Sequence, residues 1–403
     1  MRKTLKKLGP GFLFAGAAIG VSHLVQSTRA GADFGFALLW ALLLINLVKY
    51  PFFEFGPRYA SATGESLLKG YEKMGKGVLI AYFVVTFATM FTIQTAVTIV
   101  TAGIASSLFG GNPKLWTAII IGICFVILLL GRYKVLDSLM KIIVIGLTIS
   151  TITAVTLAFQ KADSVSFTQV IPTDAISLGF LIAFMGWMPA PLDISIWQSI
   201  WTVEKKKLDP DITPAQSKFD FNVGYIATTI LAIGFVALGA LIMFNSGSTF
   251  SSNGTQFANQ LVAMYTSSLG DWAKIVIGVA ALTTMFSTTL TTLDASPRVM
   301  HRTSEIFAKK PLKNGYLSWL LVLVLGTLSI FFFFIAEMGL LIKIATILSF
   351  LTAPFYAILN YKLIRGKHTP KEARPKKGYS IYSMVSILVL IGFSIWYLYT
   401  ISG

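Results

Sequence analysis

Gly186-Trp187-Met188-Pro189-Ala190-Pro191-Leu192-Asp193 lies inside an otherwise apolar run from Ile176 to Trp201. Each proline removes a backbone N–H and crowds the turn before it, so carbonyls near Phe184–Trp187 lose their helical partners. In hydrocarbon those oxygens must find other donors. A helix interrupted twice and followed at once by a carboxyl group reads as a membrane helix that has been opened to make a ligand site. The plainer alternative, a kink repaired by a neighbouring helix, suits a lone proline better than two prolines beside Asp193.

The rest of the chain supplies the setting. Its 403 residues are 55% hydrophobic and only 12% charged, more apolar surface than a water-soluble fold of this length can bury. A polytopic, all-α integral membrane protein follows. The net charge of +16 is carried by lysines and arginines that sit between apolar runs, without any motif of a nucleic-acid reader, so no nucleic-acid partner is expected. Cys124 is the single cysteine, which leaves no disulfide and no cysteine-rich metal site within the chain. The opening, MRKTLKKLGPGFLFAGAAIG, has the basic head and apolar body of a signal peptide. The apolar run continues past Gly20, however, and the head serves equally as an inside anchor.

Stretches long enough to cross a bilayer, about 20 residues each, occur near 9–30, 34–57, 77–109, 115–131, 136–159, 175–202, 218–244, 270–300, 314–336, 340–364 and 379–401. With the N-terminus inside, Arg2, Lys3, Lys6, Lys7, Arg58, Lys69, Lys73, Lys76, Arg132, Lys134, Lys205–Lys207, Lys218, Arg298, Arg302, Lys309, Lys310, Lys313 and the cluster Lys362–Lys377 all fall on one side. Lys114 and Lys161 are the clear exceptions, which is the positive-inside pattern and predicts a cytoplasmic N-terminus and an outside C-terminus in a membrane, a bacterial inner membrane being the expected one. An Asn-Gly-Thr sequon at Asn253 falls in an outside loop.

Ten of these spans divide into two halves of five, about 9–159 and 175–364, of which the second starts from the opposite side and is therefore inverted. Residues 1–364 form the expected transport core, 365–378 a basic cytoplasmic loop and 379–403 an additional helix. Inverted five-span repeats with interrupted first helices are a plan of secondary transporters, the solute being held near midplane between the two breaks. Span six carries the prolines; span one should then break near Gly20–His23, although Gly16 and Gly20 also suit a small-residue packing face. His23 is the one histidine in an apolar span, since His301 and His368 fall in basic loops. Ser22, Gln26 and Arg29 follow at i, i+4 and i+7, one helical face that would line an aqueous vestibule. Arg29 has Asp33 as an alternative partner.

Asp193 is the carboxyl group of the span-six break, a candidate for proton coupling with His23 and for meeting a cationic cargo. An ion pair within the protein, with Arg29 as one partner, is the structural alternative. Met188 offers a thioether that suits softer metals. From Gly77 through Leu136 there is neither Asp nor Glu, so an acid relay cannot use spans three and four. Asp220, the Thr/Ser-rich run Thr283–Thr292, Asp294 and Asn360 suit helix caps and bonds between helices, and Asp137 with Lys141 an i, i+4 pair. No phosphate-binding loop, nucleophile elbow or HExxH is present, so neither an enzyme nor a primary pump is expected, and no cofactor.

The segments GPGFLFAGAAIG and AGADFGFALLWALLLINL resemble the opening of the Nramp divalent-metal transporters, and Trp187-Met188-Pro189-Ala190 is similar to their Ala-Met-Pro-His motif. The similarity spreads over most of spans one to ten and implies a leucine-transporter-type fold, 5+5 inverted repeats with discontinuous helices one and six, plus an eleventh helix. It also implies a divalent metal as cargo, with possible proton coupling. The family's Asp-Pro-Gly-Asn stands here as Gly20-Val21-Ser22-His23, so that its metal-binding Asp and Asn become Gly20 and His23, its Met is kept as Met188, and its His becomes Ala190. The substrate-binding set expected on this alignment is Gly20, Ser22, His23, Gln26, Gly186, Trp187, Met188, Ala190 and Asp193, with His23, Met188 and Asp193 as candidate ligands of a softer metal. A small organic or zwitterionic solute is the competing cargo, and a non-transporting relic of the fold a third reading.

Overall fold

The computed structural model describes residues 9–130, 133–162, 165–244, 249–334 and 337–402. Arg2, Lys3, Lys6 and Lys7, and the side chains of Arg132, Lys134, Asp137 and Lys141, lie outside the described residues. Among these residues every regular element is a helix and there are no strands. Span one is Pro10–Ala18, an interruption, then Ser22–Ser27 and Thr28–Phe34; span two is Leu39–Thr63, span three Lys76–Phe109, span four Pro113–Leu129 and span five Tyr133–Lys161. Span six is Ala175–Trp187 and Ile194–Leu208; span seven Pro214–Leu238 with Gly239–Met243; span eight Ala273–Ala308; span nine Gly315–Ser329 with Ile330–Phe334; span ten Met338–Arg365; span eleven Lys377–Ser402. Two connecting helices, Leu67–Met74 and Gly254–Leu269, stand where the hydropathy pattern indicated only loops.

Start signals in the sequence explain where several helices begin. Asn112 accepts from Lys114 N–H ahead of Pro113, and Thr213 with Gln216 forms a reciprocal capping box ahead of Pro214. Asn253, the sequon residue, spends its side chain capping Gly254–Leu269 through the N–H groups of Thr255 and Gln256. Asp174 does the same for span six, and the N–H groups of Ser177 and then Ile176 hold its carboxyl below the ordinary range.

Two devices fix span one against span seven. At Gly11 a Cβ would stand 2.0 Å from the carbonyl oxygen of Asp220, and at Gly224 another would stand 2.1 Å from that of Gly11, so the two backbones touch where only glycine permits it. The Asp220 carboxylate then accepts from Gly9 N–H at 3.0 Å and from Gly11 N–H at 2.7 Å. It is a cap, as expected of it, but for another helix than its own. Above this lock Phe14 packs edge-on against Phe53 and Phe221 and stacks on Tyr225, tying spans one, two and seven together.

Spans three and eight are joined through hydroxyls and an amide: Thr101 Oγ1 lies 2.7 Å from Thr289 Oγ1, and Thr292 Oγ1 donates to Gln94 Oε1 at 2.6 Å. Asn360 likewise bridges helices, donating to Phe52 O and Ser195 Oγ while Tyr71 OH donates to it. Asp294 holds Arg298 and Tyr316 at the basic end of span eight. The outer surfaces of spans four, nine and eleven expose Val126, Leu129, Leu325, Phe333, Leu388 and Ile395, the belt that a bilayer would cover. Seven of the described helices are long and apolar enough to cross a membrane unbroken.

Candidate functional site

The break in span one follows Ala18: Ile19 leaves the helix with ψ 88°, and the chain resumes as a π-helical turn from Ser22 to Ser27. Hydroxyls stitch that widened turn to carbonyls five residues back, Ser27 Oγ to Ser22 O at 3.1 Å and Thr28 Oγ1 to His23 O at 3.5 Å. The extra width rotates every later side chain away from an ordinary helical phase. Ser22, Gln26 and Arg29 consequently point three ways instead of sharing the expected face. Ser22 reaches the interior, Gln26 Nε2 meets Thr346 Oγ1 of span ten at 3.5 Å, and Arg29 Nη2 donates to Phe250 O at 3.1 Å.

His23 turns toward span seven. Its Nε2 donates to Thr228 O at 2.9 Å, and its Nδ1 lies 2.7 Å from Ser22 Oγ, which also stands 2.8 Å from Ala18 O. Both ring nitrogens are engaged.

The break in span six contains a cis bond between Met188 and Pro189 and runs to Asp193, where the helix resumes at Ile194. In an uninterrupted helix Met185 O would accept from residue 189 and Trp187 O from residue 191, and both are prolines. Lys49 of span two supplies a donor to Met185 O, though not to Trp187 O, and to two further carbonyls of the break. Its Nζ, fully buried, donates to Met185 O at 2.9 Å, Gly186 O at 2.6 Å and Ala190 O at 3.3 Å. An ammonium has three N–H groups, and here all three end on carbonyls of the break. Lys49 was missed in the sequence although a lysine in the middle of an apolar span is a functional candidate by default.

Between the two breaks lies a small cavity of ≈ 30 Å³, room for one or two waters. Gly20, Ser22, Trp187, Asp193, Trp197 and Thr288 are among its walls, together with Ile93 and Val97 of span three. Asp193 is buried, and its Oδ1 has no hydrogen-bond partner. The cation whose charge acts on it is Lys49, not Arg29. Trp187 is anchored by its Nε1, which donates to Ser349 Oγ of span ten at 2.7 Å.

Of the nine residues expected at the site, Gly20, Ser22, Trp187 and Asp193 line the cavity. His23 and Gln26 stand behind it, holding spans seven and ten. Gly186 lets span ten approach, since a Cβ there would lie 2.1 Å from Thr346 O. Met188 is buried with its Sδ 3.9 Å from Ser27 Oγ, and Ala190 contributes its carbonyl to Lys49. Among the described residues no three His, Cys, Asp or Glu side chains gather as a metal site.

A family model described as Natural resistance-associated macrophage protein-like matches residues 11–400. An uncharacterised protein of Pasteurella multocida (strain Pm70) is 37% identical over 402 residues, covering 97% of this chain and 91% of the other. Among solved structures, a manganese transporter of Eremococcus coleocola, in complex with an aromatic bis-isothiourea compound, superposes with a TM-score of 0.75 at 14% identity, covering 100% of this chain and 87% of its own. MhsT in complex with L-phenylalanine gives 0.66 at 14% identity, with 97% of this chain and 98% of that one covered. Mhp1, a nucleobase-cation-symport-1 family transporter, gives 0.58 at 17% identity, with 98% and 93% covered. These likenesses establish the leucine-transporter-type fold, with discontinuous helices one and six and the eleventh helix beyond the repeats.

Proposed function

Because this chain belongs to the Nramp family, a family of membrane transporters and not of enzymes, we propose that it is a secondary transporter whose cargo is a small cation, met between the two breaks by Asp193. The observation that carries the reading is the buried Oδ1 of Asp193, free of hydrogen bonds at the wall of the cavity that both broken helices line. As the spans now stand the cavity has room for one or two waters, so a larger solute enters only once it opens. Alternating access, by rocking spans one and six against the rest, supplies the opening.

Two chemical forms of such a cation differ in how well the donors suit them. A hard divalent ion takes six or more oxygens, whereas this wall offers one free carboxyl oxygen, and the carbonyls of the break already hold an ammonium. A singly charged amine, alone or in a zwitterion, needs one carboxyl group, and Trp187 and Trp197 give its charge aromatic neighbours. The N–H groups that open the outer half of span one, at Gly20–Ser22, suit a carboxylate on the same solute. We therefore favour an amine-bearing solute. The divalent-metal reading is supported by the family and by Met188, retained and buried against Ser27, with His23 and Asp193 as further ligands.

Proteoliposome uptake of Mn²⁺, Mg²⁺, Zn²⁺ and small amino-acid-like solutes, side by side, tests both. Uptake of an amine-bearing solute whose half-saturation concentration Asp193→Asn raises about 10- to 150-fold is the expected outcome. Saturable Mn²⁺ uptake lost in His23→Ala and Met188→Ala would transfer the site to the metal reading. Coupling to protons, through Asp193 or His23, predicts that a pH gradient drives uptake in the natural protein and not in the double replacement. The N-terminus facing the cytoplasm, as the charge pattern indicates, is checked by reactivity of single cysteines at 75 and 112.

A further inference from the structure

Lys49 is not part of any expected site, yet its buried ammonium meets three backbone carbonyls. Its ammonium lies at the end of a buried stem, 2.6 to 3.3 Å from three carbonyl oxygens that belong to one unwound segment. Those oxygens were released by Pro189 and by the irregular backbone that follows. Left alone they form a cup of partial negative charge aimed at span two, the kind of cup that binds a monovalent metal ion wherever a membrane helix unwinds. Three donors on the ammonium match three acceptors in the cup, and none is left for Asp193.

We infer that Lys49 is a tethered cation occupying a monovalent-cation site of the broken span, so that the protein needs no sodium, potassium or other inorganic co-ion there. The span-two helix delivers the charge permanently. Two consequences follow from the geometry. The break keeps its shape whatever the ionic composition of the medium, and Asp193 keeps a free oxygen for cargo, since the local positive charge is directed at backbone instead of at the carboxyl group. Removing the ammonium while leaving its space open should convert the cup into a vacant site that a small cation of matching size and hydrogen-bonding capacity enters.

Thermal unfolding of the purified full chain in detergent tests this without any cargo. The natural protein should unfold at one temperature in sodium, potassium or choline chloride. Lys49→Ala should unfold lower in choline chloride by about 5 °C or more, and propylammonium, which restores the lost fragment, should return at least half of that shift. Choline, a quaternary cation without N–H donors, should return none. Lys49→Met refills the volume without charge and should stay low in every salt. The inference is overturned by a Lys49→Ala protein as stable as the natural one in choline, by equal effects of propylammonium and choline, or by stabilisation of the natural protein by sodium or potassium. Should Lys49→Ala fail to fold, Lys49→Met decides: unfolding within 1 °C of the natural protein overturns the inference, and a clear drop supports it.

Only an uptake arm rests on the transporter reading, with Lys49→Ala in proteoliposomes expected to regain transport when propylammonium is present. A natural protein that carries no solute, while the melting arms behave as stated, removes the transporter reading and leaves the tethered cation standing.

Discussion

Replacing Asp193 by Asn separates a cargo-binding carboxyl group from a structural one, because the two roles move stability in different directions. Breaking a buried ion pair by removing one partner costs about 3–5 kcal/mol. A pair of that kind would require the ammonium of Lys49 to spend a donor on Asp193, and it does not: its three N–H groups end on Met185 O, Gly186 O and Ala190 O, and Asp193 Oδ1 is unbonded. What Asn removes is therefore attraction through space, offset by relief of a buried oxygen, Oδ1, left without a partner, itself a burden of about 1–3 kcal/mol. The net change expected is within about 1 kcal/mol of zero or stabilising, a shift of no more than about 2 °C in unfolding temperature for a chain of this size.

Affinity should respond in the opposite sense. A hydrogen bond to a charged group contributes about 1.5–3 kcal/mol, so the half-saturation concentration for an amine-bearing cargo should rise about 10- to 150-fold. The two measurements are a thermal unfolding curve in detergent and a concentration series of uptake into proteoliposomes. A variant that unfolds more than about 5 °C lower while its half-saturation is unchanged would refute the assignment and make Asp193 a structural partner of Lys49.

Three further outcomes are expected. His23→Ala should lower stability by about 1–3 kcal/mol, because Thr228 O loses its partner while Ser22 Oγ keeps only Ala18 O, and should leave cargo affinity within twofold of the natural value, about the precision of such an uptake measurement; calorimetric metal binding that vanishes with His23 would contradict this. Gly224→Ala places a Cβ 2.1 Å from Gly11 O and should cost about 1–3 kcal/mol or prevent folding, whereas Gly77→Ala, with no atom within 4 Å, should be silent in the same melting assay. Asp220→Ala strips the acceptor from Gly9 and Gly11 N–H and should cost about 2–4 kcal/mol, with accelerated amide exchange confined at first to residues 9–14.

The spans were legible because bilayer thickness fixes their length; each expected stretch returns as a helix or as pieces of one. The breaks were legible for unequal reasons. In span six Pro189 forbids the bond that Met185 O requires, a covalent fact readable in any context. In span one nothing covalent marks the break, and Ile19 leaves the helix where only glycine and small residues hinted at it. Orientation beyond that point was hidden, since the π-helical turn Ser22–Ser27 alters the phase on which the shared face of Ser22, Gln26 and Arg29 depended. The helix Gly254–Leu269 hid behind its own cap, Asn253 having more obvious meaning as a sequon than as a start signal.

Lys49 is the instructive case, because the sequence held both halves of the inference. Two prolines in hydrocarbon create carbonyls that must be met by donors, and an interior lysine carries donors that must be met by acceptors. Each half is a demand that local pattern cannot satisfy, and the residues that satisfy it lie 137 positions apart in the chain. Averaged over its apolar neighbours, one lysine scarcely changes the hydropathy of span two, so a search for spans passes over it. A search for unmet donors would have stopped there. Matching the acceptors that a broken helix exposes against the donors stranded in other spans is thus a physical route from sequence to contact: here it pairs Met185 O, freed by Pro189, with Lys49, while Trp187 O, freed by Pro191, is not among the three carbonyls that the ammonium meets.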